Sequence, residues 1–326
     1  MENYSAFTEL FAARLSEYCG SLSQKQPQEL YAPEAYILSL GGKRLRPILA
    51  LVACDLFDTS AHNALDAALA VELFHNFSLI HDDILDAAPL RRGKATVHTK
   101  WNSNIAILSG DAMLVKSSQV LESYKADTCK ELTSVFLKNA IEVCEGQQLD
   151  MNFEIRNDVS VDEYIHMITQ KTAVLLGCSL QMGAITANAG ITDQTHLYNF
   201  GKHIGIAFQL LDDLLDAFAN EESGFGKQIG GDILANKKTY LTLKAFEMAD
   251  AEQKQKLHEI IALPASEQKV KAMLVLYEQL QVATLCKAAA NLHTEKAIEE
   301  LNALNCNPAK KQALATFAMN LLGRQN

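Results

Sequence analysis

Proline and glycine are scarce in this chain, and their scarcity constrains the fold more than any other feature of the sequence. Only Pro89 lies between Pro47 and Pro264, and the chain has 16 glycines in 326 residues. Proline breaks helices and glycine weakens them, so such a chain favours long helices over many short strands. Apolar residues make up 48% of the composition, which is enough to bury a substantial core.

Apolar residues recur with helical spacing along most of the chain, and they predict a succession of helices. One helix is expected to begin near Asp193 or Thr195, and residues 240–326 contain several more, with breaks near Pro264 and Pro308. The other helices are expected at residues 3–23, 33–40, 48–57, 63–86, 103–124, 128–151 and 161–189.

Residues 74–93 carry three carboxylates in the spacing Asp82-Asp83-x-x-Asp86. Residues four apart share a face of a helix, so Asp82 and Asp86 point the same way, and His75 lies two turns earlier near that face. Carboxylates held side by side repel each other unless a cation lies between them. Mg²⁺ prefers such oxygen ligands and also binds substrate phosphates. The motif indicates a metal site for a phosphorylated ligand, although a solvated acidic helix end has the same pattern.

The same spacing occurs again at Asp212-Asp213-x-x-Asp216, and both copies follow an apolar helical run. Chance would rarely place two such motifs in one chain that also carries suitable basic residues. We therefore interpret them as one duplicated device, in which two carboxylate helices hold several Mg²⁺ ions around a diphosphate.

Basic residues provide the complementary charge. The segment GKRLRP at residues 42–47 places three cations in four positions, and Lys43 and Arg46 share a face if a helix includes both. Arg91 and Arg92 lie in a loop just past the first carboxylates, where they can reach the same ligand. Arginine suits phosphate because its planar fork donates two parallel hydrogen bonds. An exposed basic turn is the alternative, but beside a diphosphate site a basic clamp is the better interpretation.

Composition narrows the class of protein. The formal net charge of −10 disfavours nucleic acid as a partner. Seven cysteines without a C-x-x-C pair argue against a zinc site and fit a reducing compartment. The first residues do not resemble a signal peptide, and no apolar run approaches the length of a membrane span. We expect a soluble, cytoplasmic protein.

Residues 220–232 are the segment of the chain that is most strongly predicted to form a loop. The loop is no P-loop, because Lys227 is followed by glutamine and the glycine spacing is wrong.

In these motifs and their order, the chain resembles the trans-isoprenyl diphosphate synthases of the polyprenyl synthetase family. The resemblance covers about residues 40–240 in the family's order and implies one all-α domain over residues 1–326, with helices around a deep central cavity, and a homodimer. The residues that carry it are Gly42-Lys43-Arg44 with Pro47, His75, the first aspartate motif with Arg91-Arg92-Gly93, Gly146-Gln147, Lys171-Thr172, Phe208-Gln209 through Asp216, and Lys227 through Gly231-Asp232.

The resemblance implies an alkyl-group transferase that joins isopentenyl diphosphate to an allylic diphosphate (dimethylallyl, geranyl or farnesyl). The allylic substrate ionises, isopentenyl diphosphate attacks the cation through its double bond, and a proton is then lost to the released diphosphate. Mg²⁺ ions, about three with substrate bound, stabilise the leaving group, and Mn²⁺ can substitute.

The family's motifs assign roles to individual residues of this sequence. The metal ligands are Asp82, Asp83, Asp86, Asp212 and Asp216. Isopentenyl diphosphate is held by Lys43, Arg46, His75 and Arg92. The allylic diphosphate is held by Arg91, Lys171, Thr172, Gln209, Lys227 and Lys237. The catalytic residues among these are Asp82, Asp86, Asp212, Lys171 and Lys227.

Four other functions stay open at this point: a longer-chain polyprenyl diphosphate synthase, a class I terpene cyclase, a non-catalytic partner subunit and an acidic helical scaffold. A cyclase shares the first motif, but its second normally has Asn/Asp, Ser/Thr and Glu positions. A non-catalytic subunit would usually have lost a motif, and both are intact here. A scaffold leaves the coincidence of cations and carboxylates unexplained.

Product length depends on the residues before the first aspartate. Phe77 lies five residues before Asp82, roughly 7.5 Å along a helix, and Phe74 lies one turn further. In the family, a large side chain five residues before this aspartate is a floor that stops elongation. Ser78 is small, and the first motif lacks the two-residue insertion of many bacterial farnesyl diphosphate synthases. The resemblance implies a short product, C20 ahead of C15; ordinary core packing of Phe77 is the alternative.

Overall fold

The computed structural model describes residues 4–218 and 230–323, and about 81% of the structure is helical. In these ranges the only sheet is a hairpin of two-residue strands. The predicted all-α class is therefore confirmed. No helix of the described ranges is long and apolar enough to cross a bilayer.

The elements follow one another with short connections. The N-terminal helices are α1 Ser5–Leu22, α2 Gln28–Ser39, α3 Leu45–Asp55 and α4 Leu65–Leu85. The hairpin strands β1 Leu90–Arg91 and β2 Lys94–Ala95 precede α5 Val97–Lys100, α6 Ser103–Gln119, α7 Ala126–Ile155 and α8 Val161–Ile168. A single turn of π-helix, Thr169–Ala173 (called the π-turn below), joins α8 to α9 Val174–Thr186, and α10 Ile191–Phe218 follows. The remaining helices are α11 Gly231–Leu234, α12 Tyr240–Met248, α13 Ala251–Ala262, α14 Glu267–Gln279, α15 Val282–Asn302 and α16 Pro308–Gly323.

Two local predictions need correction. The helix expected at residues 33–40 begins at Gln28, because Pro27, with an extended ψ of 145°, is its N-cap, and Pro33 lies buried inside it. The loop expected around Arg91 and Arg92 is a tight hairpin. Its turn residues, Arg92 (φ 53°) and Gly93 (φ 74°), both have positive φ, as a two-residue type I′ turn requires.

The described residues fall into two compact units, and the single domain implied by the resemblance stays a prediction. One unit comprises the described parts of Met1–Ala140, Leu175–Tyr198 and Leu304–Leu314. The other comprises the described parts of Ile141–Val174, Asn199–Ala303 and Ala315–Asn326.

In the first unit, α4 packs against α3 and α6 and is buried along most of its length. Leu69 and Leu73 on α4 are fully buried. Gly183 of α9 lies so near α3 that a Cβ atom there would be 2.1 Å from the Ala50 carbonyl oxygen. These contacts fix α4, which carries the first carboxylate motif.

In the second unit, α12 packs against α14 and α15. Tyr277 of α14 is buried, and its hydroxyl lies 2.7 Å from that of Thr242 on α12. Lys269 is buried too, and its amine donates to the carbonyl oxygens of Ile261 (2.9 Å) and Leu263 (3.0 Å), which fixes the end of α13.

Candidate functional site

The first carboxylate motif lies at the C-terminal end of α4. Asp82 and Asp83 belong to the last turn of the helix, and Asp86, just beyond it, donates its backbone N–H to the Asp82 carbonyl oxygen at 2.9 Å. Carbonyl groups at a helix C-terminus carry partial negative charge. Three carboxylates there repel both one another and the helix end, so a bound cation would be stabilised.

The hairpin brings Arg91 back onto this motif. Its guanidinium donates three hydrogen bonds of 2.7–2.9 Å to the buried Asp83 carboxylate, and its Nη2 lies 3.8 Å from Asp82 Oδ2. Burial lowers the pKa of Arg91, but Asp83, Asp82 and Asp86 together raise it above its ordinary value. The sequence assigns Asp83 to the metal ligands, whereas in the structure both of its oxygens accept hydrogen bonds from Arg91.

His75, in the middle of α4, is surrounded by arginines. Arg46 Nη1 lies 3.3 Å from His75 Nε2. Burial holds the pKa of His75 well below its ordinary value, and the charges of Arg46, Arg92, Arg91 and Arg44 lower it further. His75 is therefore neutral at pH 7, and this surrounding of positive charge suits a diphosphate group.

Arg46 has a charge and a buried donor that suit a diphosphate group. Burial lowers its pKa to about 10, so it remains charged at neutral pH. Its Nε is buried and has no hydrogen-bond partner among the described residues. Buried donors are usually satisfied, so an anionic oxygen is the natural partner for this one.

Lys43 lies differently from the prediction. The prediction that Lys43 and Arg46 share a helix face is wrong, because α3 begins at Leu45 and Arg44 before it is in the left-handed region (φ 46°). Lys43 is instead exposed in the turn that precedes α3. Arg44 forms an ion pair with the buried Glu72 of α4, so its guanidinium anchors this turn.

Arg92 links the hairpin to the turn that precedes α3. Its Nη1 donates to the Gly41 carbonyl oxygen. Gly42 has a φ of 128°, which L side chains rarely adopt, so the backbone favours glycine there. A Cβ atom would also lie 2.8 Å from Arg92 Nη2 and would force that guanidinium to shift. Arg46, His75 and Arg92, three of the four residues assigned to isopentenyl diphosphate, thus belong to one basic group.

The second carboxylate motif lies near the C-terminal end of α10, and its middle residue is the most buried. Asp213 accepts hydrogen bonds from the Tyr164 hydroxyl, from Gln209 Nε2 at 3.2 Å and from the Tyr240 backbone N–H at 3.4 Å. Burial raises the pKa of Asp213 to about 7, and the nearby charge of Asp232 raises it while the donors lower it. Asp213 therefore ties α8 and α12 to α10.

Asp212 and Asp216 flank this anchor. Asp212 is half-buried. Asp216 Oδ1 accepts from the Asp232 backbone N–H at 2.9 Å, and its carbonyl oxygen accepts from Gly230 at 2.6 Å, which fixes the start of α11 against the motif. Lys237, assigned to the allylic diphosphate, is exposed after α11, and its N–H donates to the Asp232 carbonyl oxygen at 2.9 Å.

Lys171 and Thr172 lie in the π-turn, where the helix is wider than an α-helix. Lys171 Nζ donates to Asp150 Oδ2 at 2.6 Å, and Thr172 Oγ1 lies 3.4 Å from Gln209 Oε1. Three residues assigned to the allylic diphosphate are therefore linked within the second unit. Lys227, also assigned to it, lies outside the described residues.

Both motifs provide the donor chemistry of a magnesium site. Carboxylate oxygens are the hard ligands that Mg²⁺ prefers, and it usually takes one or two of them together with water and substrate phosphates. Within residues 4–218 and 230–323, no three His, Cys, Asp or Glu side chains form a group that could hold a metal ion on their own. The residues fit an ion that binds together with a diphosphate.

The residues assigned to chain length lie on α4 as expected from their spacing. The ring centroids of Phe74 and Phe77 are 5.4 Å apart, and Phe74 also packs edge-to-face on Phe136 of α7 at 5.6 Å. The Phe77 ring contacts His81 at 4.8 Å. Ser78 is half-buried, and its hydroxyl donates to the His75 carbonyl oxygen at 2.8 Å.

Comparison with known proteins identifies the family. A family model described as polyprenyl synthetase matches residues 27–279. The chain belongs to the polyprenyl synthetase family. This membership confirms the resemblance drawn from the motifs.

Several relatives within the polyprenyl synthetase family are similar over most or all of the chain. A short chain isoprenyl diphosphate synthase of Methanothermobacter thermautotrophicus is 35% identical over 327 residues, covering 100% of this chain and 99% of that protein. A geranylgeranyl diphosphate synthase of Methanosarcina mazei is 41% identical over 224 residues, 68% of this chain and 69% of that one. The crystal structure of a geranylgeranyl pyrophosphate synthase superimposes with a TM-score of 0.91 at 45% identity, covering 98% and 99% of the two chains.

Some structurally important residues escape sequence analysis. Glu72, Asp150 and Tyr164 each bind a side chain of the candidate site, namely Arg44, Lys171 and Asp213. Glu72 lies in an apolar helix and could have been noticed as a charge that needs a partner when buried. Asp150 and Tyr164 have no such signal, because their partners are distant in sequence.

Proposed function

We propose that the protein joins isopentenyl diphosphate to an allylic diphosphate and releases a short all-trans prenyl diphosphate, C20 ahead of C15. The observation that carries the proposal is the pairing, on α4, of a carboxylate motif at the helix end with the arginine-surrounded His75. The family and the names of the similar synthases support the same reaction.

The basic group around His75 is proposed to bind isopentenyl diphosphate. Arg46 and Arg92 donate hydrogen bonds to its diphosphate, and the neutral His75 donates one more without adding charge. Lys43, exposed on the preceding turn, adds charge from a flexible side chain. Bound in this way, isopentenyl diphosphate presents its double bond to the allylic substrate.

The allylic diphosphate is proposed to be held by Asp82, Asp86, Asp212 and Asp216 through metal, and directly by Arg91, Lys171, Thr172, Gln209, Lys237 and Lys227. Mg²⁺, when bound, supplies positive charge that stabilises the leaving diphosphate. Lys171 and Arg91 stabilise the same developing negative charge. After the new carbon–carbon bond forms, the released diphosphate takes up the proton that the condensed product loses.

Finer properties follow from the resemblance and belong to the same proposal: about three Mg²⁺ ions with substrate bound, replacement by Mn²⁺, a homodimer and a cytoplasmic location. The dimer has some support in the first unit. Leu108 (60% exposed) and Val115 (68% exposed) lie seven residues apart on α6, hence on one face. Exposed apolar faces of this kind are typical of protein interfaces.

A substrate-dependence assay tests the reaction. The protein is incubated with Mg²⁺ and dimethylallyl, geranyl or farnesyl diphosphate, each with and without isopentenyl diphosphate, and diphosphate release and chain length are measured. A synthase requires both substrates. Release from the allylic substrate alone, with a cyclic hydrocarbon as product, would show a terpene cyclase, and chains beyond C25 would show a longer-chain synthase.

A further inference from the structure

Three contacts join one face of α7 to the π-turn. Lys171 Nζ donates to Asp150 Oδ2 at 2.6 Å, and Gln170 Nε2 donates to Glu145 Oε2 at 3.1 Å. Between them, a Cβ atom on Gly146 would lie 2.3 Å from the Lys171 backbone nitrogen and 2.7 Å from its Cα. Because Gly146 and Asp150 are one turn apart, a single face of α7 meets both the backbone and the amine of Lys171.

The π-turn depends on this face. Turns with i→i+5 hydrogen bonds are rare and occur frequently at functional sites, since they change the direction in which side chains point. Real Cβ atoms essentially never come within 3.0 Å of a neighbouring heavy atom, so any side chain at Gly146 would displace the turn. The atoms in the way belong to backbone, which cannot rotate aside as a flexible side chain can.

The amine of Lys171 is held by its ion pair with Asp150. A lysine side chain has four rotatable carbon–carbon bonds and loses considerable freedom when its amine is held in one place. The side chains of Lys171 and Asp150 are only 29% and 33% exposed. Their ion pair therefore fixes the amine more firmly than a fully exposed surface pair would.

We infer that Glu145, Gly146 and Asp150 form a support that aims Lys171 at the allylic diphosphate, with Asp150 as a positioning residue. This inference rests on the proposed function of Lys171. A carboxylate near a diphosphate is unfavourable by itself, so Asp150 contributes through the lysine, which it holds in place before substrate arrives. Thr172, next in the π-turn, contacts Gln209 and extends the same support to α10.

A double-mutant cycle tests the inference. Asp150→Ala and Asp150→Asn are each made in the wild-type and the Lys171→Met background, and kcat and KM are measured for both substrates. Asp150→Ala is expected to lower kcat/KM for the allylic diphosphate about 10–100-fold, as misplacement of a binding group does, and to leave KM for isopentenyl diphosphate unchanged. Asparagine should restore part of the loss, because its carbonyl oxygen can still accept from Lys171. In the Lys171→Met background neither change should lower kcat/KM further.

A second pair of variants gives a readout that does not depend on activity. Gly146→Ala is compared with Gly20→Ala on α1, where an added Cβ would have nothing within 4 Å. Amide hydrogen exchange across Thr169–Ala173 should quicken in Gly146→Ala and stay unchanged in Gly20→Ala.

The outcomes separate the inference from the function on which it rests. Unchanged kinetics in Asp150→Ala, or an equal loss in the Lys171→Met background, would overturn the role of Asp150. Unchanged exchange in a folded Gly146→Ala variant would overturn the role of Gly146. A wild-type protein that condenses no diphosphates would refute the proposed function instead, and the exchange comparison would still decide whether α7 supports the turn.

Discussion

Replacing Phe77 by alanine tests whether the aromatic side chains of α4 limit product length. Phe77 is 7% exposed and lies roughly 7.5 Å along the helix from Asp82. Removal of its ring would open apolar space beside Phe74 and His81. One more isoprene unit in this space would bury five carbons, which at about 0.8 kcal/mol per CH₂ stabilises the longer chain by roughly 3–4 kcal/mol. That is on the order of 10²–10³-fold, so the main product should lengthen by one isoprene unit.

The same substitution removes core packing, so stability must be measured beside product length. Truncation of a buried phenylalanine costs about 3–5 kcal/mol. Phe200→Ala is the matched control, because Phe200 is 1% exposed and lies on α10, outside this aromatic group. It should lose comparable stability in urea denaturation and keep the wild-type product. Chain length is read by reversed-phase chromatography after removal of the phosphates.

Phe74→Ala adds a graded test. Phe74 is fully buried one turn further from the carboxylates and packs on Phe136. With Phe77 in place, this variant should lose stability without changing the product; combined with Phe77→Ala, it should lengthen the product again. Wild-type product length in a folded, active Phe77→Ala enzyme would refute the reasoning and leave Phe77 as ordinary core packing.

Three further predictions concern charge. Asp82→Ala should lower kcat on the order of 10²-fold or more, because stabilisation of the leaving diphosphate is lost. EDTA should abolish turnover of the wild-type protein. Near wild-type turnover in Asp82→Ala would exclude Asp82 as a metal ligand. Lys43→Ala should raise KM mainly for isopentenyl diphosphate and Lys171→Ala mainly for the allylic substrate, whereas equal effects on both would contradict the division. Burial, the adjacent His203 (Nδ1 to Nδ1 3.0 Å) and nearby lysines lower the pKa of His293 to about 4. As the pH falls from about 6.5 to 4, His293 takes up a proton in the unfolded chain before it does so in the folded protein. The free energy of unfolding should therefore fall by about 1–2 kcal/mol after allowance for solvent screening. Urea titrations of His293→Gln should show a flatter pH dependence of stability, and an unchanged pH dependence would disprove the assignment.

The sequence predicts features that depend on neighbours along the chain. Scarce proline and glycine predicted helices, and the helix expected at residues 63–86 is found at Leu65–Leu85, with Asp82 in its last turn and Asp86 at its C-cap. Helix ends were less predictable: the helix expected to start at Pro33 starts at Gln28, because proline is tolerated there within the packed structure.

Features that depend on contacts distant in sequence could not be predicted. The hairpin brings the Arg91 guanidinium onto Asp83, and the π-turn at Lys171 lies against Gly146, where a side chain would collide with its backbone. No local pattern distinguishes Asp83 from its neighbours Asp82 and Asp86, although its carboxylate is buried against an arginine. Their different environments follow only from the return of the chain after α4.

The ion pair between Asp83 and Arg91 has a consequence for the order in which the site assembles. Three carboxylates and one guanidinium leave a formal charge of −2 at the end of α4, which a single divalent ion balances. The guanidinium of Arg91 is thus a counterion supplied by the protein itself, and it offsets part of this negative charge without a bound metal or substrate. Under the proposed magnesium dependence, enzyme made in a cell short of free magnesium would fold but would not turn over until the ion was bound.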